Sequence, residues 1–271
     1  MGTEKEEMVL SDIDGNVGYI TLNRPHHLNA FNLELAGQFL KAVETLGDNR
    51  SVRAIVVRGA GRAFSAGGDV REMHAHVLEG KDRAAYFRSP LAAFNRMGLS
   101  LRQLPKPVLA AVHGAVAGVA FNLMLMCDLK IARDGTRFTQ AFIGLGLSPD
   151  GGGTYLLPHL VGYARACELT MLPREIDDRT ALEWGLINRI ASSGTFGREI
   201  GEMAEVLASG PAAALARTKS LLNQAYENSL VKQMEAERLA QIENAASDDF
   251  GEGLAAFVEK RHPNFNKEHN G

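Results

Sequence analysis

The chain predicts an α/β fold, with parallel strands joined by crossover helices and an all-helical C-terminal part. Three observations carry that prediction. Short β-branched runs alternate with segments of helical period through the first half; two glycine/alanine-rich turns each follow a buried strand and open a helix; strand signals cease beyond about residue 195. Alternation of this kind packs helices onto a parallel sheet. The expected organisation is a β/α core over residues 1–195 and a helical region over 196–271.

Val17-Gly-Tyr-Ile-Thr-Leu22 reads as a strand stopped by Asn23-Arg24-Pro25. Asn32 is placed to cap a helix over Leu33–Leu46, whose Leu35, Phe39, Leu40 and Val43 share a face, with Gly47 ending it. Ala54–Arg58 is a short apolar strand, followed by a Gly- and Ala-rich loop to Gly68. Residues 71–103 read as helical with a break at Ser89-Pro90. Val108–Val112 is a buried strand, and Gly114–Gly118 leads into an apolar helix through Met126. Gly144–Gly153 is a glycine-rich loop carrying Ser148-Pro149-Asp150. Beyond Pro158 the pattern is helical, with one strand at Leu186–Ile190. Pro211 opens a helix to about Gln224, Val231–Asn244 reads as amphipathic, and a last helix spans Gly251–Lys260.

Bulk properties narrow the function classes. The 271 residues include 29 basic and 32 acidic side chains, for a net charge of −3. Dispersed basic residues and this balance argue against nucleic acid or a membrane surface as partner. Cys127 and Cys167 are far apart, each within an apolar helical pattern. With no CxxC and no disulfide framework, a reducing cytoplasmic location is expected. The segment MGTEKEEMVL has no signal-type apolar core, no run of 18 apolar residues occurs, and Glu6 stands where myristoylation needs Ser or Thr.

Chemistry has few candidate seats. Phe64-Ser-Ala-Gly-Gly-Asp69 and Gly114-Ala-Val-Ala-Gly-Val-Ala120 could each bring backbone N–H groups close to a ligand. Two such turns could aim two donors at one oxygen, as an oxyanion hole requires; simple tight packing needs the same small residues. Neither matches a dinucleotide fingerprint or a phosphate loop. No HExxH or CxxC is present, His26 and His27 are adjacent, and His74 and His76 point to different sides of a helix, so no metal is expected. GxSxG is absent. Asp150 is the candidate general acid or base, a carboxylate among Leu, Ile and Pro, although Pro149-Asp150-Gly151 also suits a solvated turn.

Taken in order, several segments resemble the enoyl-CoA hydratase/isomerase (crotonase) superfamily. They are Leu22-Asn-Arg-Pro25 with Leu28-Asn-Ala30, Ala63–Asp69, Pro105–Val112 through Gly114 to Met126-Cys-Asp128, Gly151-Gly-Gly-Thr154, Ala181–Leu186 and Glu252–Lys260. The resemblance spans roughly residues 8–266. It implies a crotonase-like ββα superhelix core with a C-terminal helical region, an acyl-CoA thioester substrate with no separate cofactor, and a homotrimer or hexamer. It also places the N–H groups of Ala66 and Val119 in the oxyanion hole, Val119 standing where the family usually has glycine. His26 falls where many members carry a lysine near the CoA phosphates. Leu28, Ala63, Ala66 and Asp69, with Gly67 between them, match the adenine-pocket segment; Phe257 and Lys260 match residues that reach the CoA site from a neighbouring subunit.

The departures bear on the reaction. Hydratases of this family use two glutamates, and those positions hold Asn122 and Phe142 here. Neither is a carboxylate, so neither transfers protons at neutral pH. Phe142 is instead expected in the acyl pocket. Asp150 aligns with an aspartate used by dienoyl-CoA isomerases, ring-epoxide phenylacetyl-CoA isomerases and chlorobenzoyl-CoA dehalogenases. The dehalogenases' histidine and tryptophan helpers match Asn95 and Phe142. The resemblance therefore implies isomerisation through an enolate, with Asp150 as acid/base. The alternatives are an atypical hydratase or thioester hydrolase in which Asp150 activates water, and a non-catalytic acyl-CoA-binding subunit.

Overall fold

Gly15 lets the chain reverse between β1 (Val9–Asp14) and β2 (Val17–Leu22), adopting φ +56° in the connecting turn. These strands belong to a computed structural model that describes residues 7–265; the reading of the first six residues as leaderless and unmyristoylated lies outside it. The chain continues through α1 (Leu33–Asp48), β3 (Ala54–Gly59), α2 (Val70–Leu78), α3 (Arg83–Gln103), β4 (Val108–Val112), β5 (Ala115–Ala117), α4 (Val119–Met126), β6 (Leu129–Arg133) and β7 (Arg137–Thr139). Then follow α5 (Gly153–Val161), α6 (Tyr163–Met171), β8 (Glu175–Asp177), α7 (Asp178–Glu183), β9 (Arg189–Ala191), α8 (Phe196–Ala208), α9 (Ala212–Gln224), α10 (Leu230–Ala245) and α11 (Asp248–Glu259).

Among the described residues a six-stranded sheet runs β1-β2-β3-β4-β6-β9, parallel except for the β1/β2 hairpin. A smaller sheet runs β5-β7-β8. The large sheet is covered on both faces, which is why its central strands are continuous apolar runs. On β3 the strand period of two divides the side chains: Ile55 and Val57 join one core with α1, α3 and α4, while Ala54 and Val56 join a second. That second core is closed by Ile200, Ala204 and Ala208 of α8. A helix beyond residue 195 thus completes the sheet's far face.

Several boundaries differ from the sequence reading for identifiable reasons. The break in 71–103 falls between Leu78 and Arg83, where Gly80 takes φ +69°, and Pro90 is carried buried inside α3. Gly47 lies within α1, which ends at Asp48; a Cβ there would come within 2.9 Å of Leu104. Strands β1, β6, β7 and β8 carry too few buried positions or too many charges to announce themselves, and the strand expected at Leu186–Ile190 forms slightly later. Helix α10 has no buried residue, and its Leu230, Val231, Met234 and Ile242 are exposed.

Helix α9 is tied to the core by one cation. Lys219, 8 % exposed, donates from Nζ to the Leu101 carbonyl at 2.8 Å and the Lys106 carbonyl at 3.0 Å, and pairs with Asp128 at 2.8 Å. Asp128 also accepts the Val108 N–H at the entrance of β4. Lys219→Met should therefore cost about 3 kcal/mol, because it leaves a partly buried carboxylate and two carbonyls without their donor. Urea unfolding at unchanged m-value measures it; a loss below about 1 kcal/mol would show the tie to be dispensable.

Candidate active site

Two main-chain turns meet edge to edge. The Ser65 N–H donates to the Ala115 carbonyl at 3.1 Å and the Ala117 N–H to the Ser65 carbonyl at 3.0 Å, so residues 64–66 run parallel to β5. A further bridge joins Phe31 to Gly68, and Gly118 donates to Thr139 of β7. Contact this close requires glycine. A Cβ on Gly67, at φ +90°, would lie 2.7 Å from the Ala117 carbonyl oxygen, and Gly118 takes φ +52° as it opens α4.

Buried polar groups fasten the first turn. Asn29, fully buried in the left-handed region at φ +54°, donates to the carbonyls of Ala60, Ala63 and Phe64 and accepts the Arg24 N–H. The Ser65 hydroxyl donates to the Asn29 carbonyl and accepts the Gly67 N–H. Arg24 pairs with Asp69 at 3.0 Å, both side chains 7 % exposed. Asp69 also caps α2 through the Glu72 N–H. Burial pushes the Asp69 carboxyl upward, but the Glu72 N–H and Arg24 outweigh it and hold the group below its ordinary range.

These bonds decide which amides are free. The Ala66 N–H donates to the Leu28 carbonyl at 2.9 Å, so Ala66 does not supply the donor expected of it. The Gly68 N–H makes no hydrogen bond to any described residue, and neither does that of Val119, the first residue of α4, whose Gly118 cap offers no side chain. Gly68 and Val119 both line one cavity, of about 70 Å³. The parallel bridge at Gly68 accounts for its free amide, since such a bridge uses the neighbours' groups and leaves the residue's own N–H unpaired.

Asp150 lines the same cavity with Phe142, Leu145, Leu147 and Phe94. One carboxylate oxygen, Oδ1, is buried without a partner. Burial pushes the group up to about 6, only partly offset by its own backbone N–H. Asn122 faces away from any substrate role: it is fully buried, and its Nδ2 donates to the Asp150 carbonyl at 2.8 Å. Its Oδ1 accepts the Gln140 Nε2 at 3.0 Å. The three glycines Gly151–Gly153 allow this approach, since a Cβ on Gly153 would lie 2.5 Å from the Asn122 amide. Beside them the Val119 side chain packs, 3.5 Å from where a Gly151 Cβ would sit.

Of the expected site residues, Ala66, Val119, Phe142 and Asp150 converge on the cavity. Asp69 does not; its carboxylate is committed to Arg24 and the start of α2. Ala63 is buried with its carbonyl on Asn29, and Gly67 gives its N–H to Ser65 and its carbonyl to Phe31. Leu28 contributes the carbonyl that holds Ala66. His26 lies exposed on a short 3-10 turn, while Phe257, 83 % exposed, and Lys260 lie at the end of α11, apart from the cavity lining. Gln140, Gly68 and Asn29 were not singled out from the sequence: Gly68 enters through its unpaired backbone N–H, and Asn29 and Gln140 through side-chain amides whose partners the fold brings in. Among the described residues no group of three His, Cys, Asp or Glu could hold a metal, and no helix is long and apolar enough to cross a membrane.

Comparison with known proteins agrees with this architecture. The family model for enoyl-CoA hydratase/isomerase matches residues 12–268. The 1,2-epoxyphenylacetyl-CoA isomerase of Escherichia coli is 36% identical over 259 residues, covering 96% of this chain and 98% of the relative. The trans-2-decenoyl-[acyl-carrier-protein] isomerase of Streptococcus mutans is 33% identical over 95% of this chain and 97% of its own length. The crystal structure of an enoyl-CoA hydratase from Polaromonas sp. JS666 superposes with a TM-score of 0.88 at 34% identity, covering 94% of this chain and 98% of that one. Fold, motif order and two facing turns leave one assignment: the chain belongs to the enoyl-CoA hydratase/isomerase family and has the crotonase fold.

Proposed function

We propose that this protein is an acyl-CoA isomerase, moving a double bond or rearranging a ring-derived enoyl thioester through an enolate. The observation that carries the reading is a single buried, unpaired carboxylate, Asp150, on a cavity whose wall also holds two unpaired backbone N–H groups. In this reading the thioester carbonyl oxygen sits between the amides of Gly68 and Val119. Charge develops on that oxygen as Asp150 takes a proton from the α or γ carbon, and the two donors stabilise it. Asp150 then returns the proton to the other carbon. Hydration by the two-acid route has no second acid here, since Asn122 is tied into the loop and Phe142 is apolar. The named relatives include both isomerases and hydratases, and five aromatic residues on the cavity wall, Phe31, Tyr86, Phe87, Phe94 and Phe142, suit a ring-derived acyl group.

Asp150→Asn should lower turnover on 3-enoyl- and ring-derived acyl-CoA substrates by about 100–10,000-fold while leaving thioester binding intact. In the native protein kcat/KM should fall as pH drops through about 6, where the base becomes protonated. Stability should move the other way. The folded carboxyl binds its proton more tightly than the unfolded one, so Asp150 disfavours the native state increasingly as pH rises from about 4 to 6. Asp150→Asn should then stabilise the protein by up to about 3 kcal/mol at pH 7, a gain that vanishes below pH 4. A variant with native turnover would refute the role of Asp150; a pH-independent stability change would refute the burial argument.

The oxyanion reading has its own test. Gly68→Pro deletes one donor, and the added ring meets the flexible end of Met73. Turnover should fall about 100–1,000-fold in a variant whose circular dichroism and melting temperature stay near native. Retained turnover in such a folded variant would remove Gly68 from the site.

We further propose that three copies assemble, singly or as paired trimers, through the C-terminal helices. Support comes from the solvent-facing apolar residues of α11, Leu254, Phe257 and Val258, between 54 % and 83 % exposed. Light scattering should give a multiple of three times the 29.3 kDa chain; a monomer at micromolar concentration would overturn it.

A further inference from the structure

We propose that Asn122 is a positioning residue of the reaction: it fixes where Asp150 stands relative to the Val119 amide. Asn122 does not line the cavity, so it acts through Asp150 and not on the acyl group. The inference rests on the reading of Asp150 as acid/base and adds a second residue to it. Its basis is one face of α4. Val119, Asn122 and Met126 follow one another along that face, and the glycine run after Asp150 lies against it. A Cβ on Gly151 would stand 3.4 Å from the Asn122 Cβ and 3.5 Å from the Val119 side chain. One on Gly152 would stand 2.5 Å from Met126, and one on Gly153 2.5 Å from the Asn122 amide. The helix that opens with the unpaired Val119 N–H is thus the support on which the Asp150 loop rests.

Backbone packing alone does not hold that loop. Gly151 and Gly152 take φ +55° and +82°, and a glycine turn has little stiffness of its own. The hold comes from Asn122, which is fully buried. Its Nδ2 donates to the Asp150 carbonyl at 2.8 Å, beside the Gly153 N–H at 3.0 Å, so both lone pairs of that oxygen are used. Its Oδ1 accepts the Gln140 Nε2 at 3.0 Å. Chemistry fixes this orientation, since a main-chain carbonyl only accepts and Asn122 must turn its NH2 towards it.

Gln140 is itself held. The Phe142 N–H donates to the Gln140 carbonyl at 2.7 Å across Ala141, at φ +56°, a tight three-residue turn that few non-glycine residues adopt. The Phe142 carbonyl then accepts the N–H groups of Leu145 at 2.9 Å and Leu147 at 3.1 Å. Asp150 is therefore reached from Gln140 by two routes, one along the main chain of 142–147 and one through the Asn122 amide. A loop closed at both ends holds its carboxylate to the fraction of an ångström that proton transfer requires. Burial raises the proton affinity of Asp150, with no charged side chain contributing, so a loosened loop would admit water and lower it.

The test compares Asn122→Ala, Gly153→Ala and the double variant with the native protein, by 3-enoyl-CoA turnover across pH. Gly153→Ala leaves every polar group in place, and its methyl displaces the Asn122 amide. Each single variant should lower kcat about 10–100-fold with KM changed by about twofold or less. Its kcat/KM should fall only below about pH 5, because the released carboxyl returns towards the ordinary carboxylate range. The double variant should be no slower than Asn122→Ala, since both changes break one contact. Native kcat in folded single variants overturns the inference; if Asp150→Asn is inactive in the same assay, the acid/base reading stands. A fall in kcat without movement of the pH limb, or losses that multiply in the double variant, shows general damage to the fold and also overturns it. Native turnover by Asp150→Asn, or none by the native protein, removes the acid/base reading and this inference with it. If Asn122→Ala does not fold, Gly153→Ala decides alone; if neither folds, the role of Asn122 is structural and the inference fails.

Discussion

The site depends on two main-chain turns lying against each other with no side chain between them. Gly67 sits so close to the Ala117 carbonyl that any Cβ would overlap it, and beside that contact Gly68 and Val119, whose amides bond to no described residue, line one cavity. The arrangement is main-chain throughout, so it is indifferent to most side chains nearby. Val119 can replace a family glycine for this reason: its amide stays at the first position of α4 while its side chain packs beside Gly151.

Holding that edge requires polar groups deep in an apolar core, which cost free energy unless every hydrogen bond is made. Asn29 makes its bonds to three carbonyls and one amide, Ser65 closes the turn from within, and the Arg24–Asp69 pair pins its far end. Asp150 is the contrast. Its Oδ1 is buried and unmatched, and burial alone accounts for its raised proton affinity. The two aspartates differ by environment: one is saturated with donors and held below its ordinary range, the other is starved of them and pushed up to about 6.

How much of this was legible in the chain follows the same division. Strands buried on both faces, such as Val108–Val112, and capped helices, such as that opened by Asn32, declare themselves through local pattern. Edge strands do not: β1 exposes four of its six residues, and β7 and β8 have three residues each. Side-chain chemistry or motif position singles out Asp150, Val119 and Phe142, and all three line the cavity. The free amide at Gly68 was not legible, since which N–H in Ser65-Ala-Gly-Gly68 is left unpaired depends on Leu28 and Phe31 arriving from another part of the chain. The setting of Asp69 was hidden for a related reason. Its partner Arg24 lies 45 positions earlier, a separation at which no local pattern announces the buried pair.

The replacement of a family glutamate by Asn122 then reads as more than the loss of an acid. A carboxylate there could not donate to the Asp150 carbonyl, and it would place a second negative charge beside the loop that carries Asp150, driving that group's proton affinity higher still. An amide does the opposite: one end donates to the loop and the other accepts from Gln140, so the loop is held with no added charge. Because an amide is a donor at one end and an acceptor at the other, it also transmits direction, and that direction leaves Gln140 Oε1 buried without a partner among the described residues. One side chain on α4 therefore fastens the loop that carries Asp150 and adds no charge beside it.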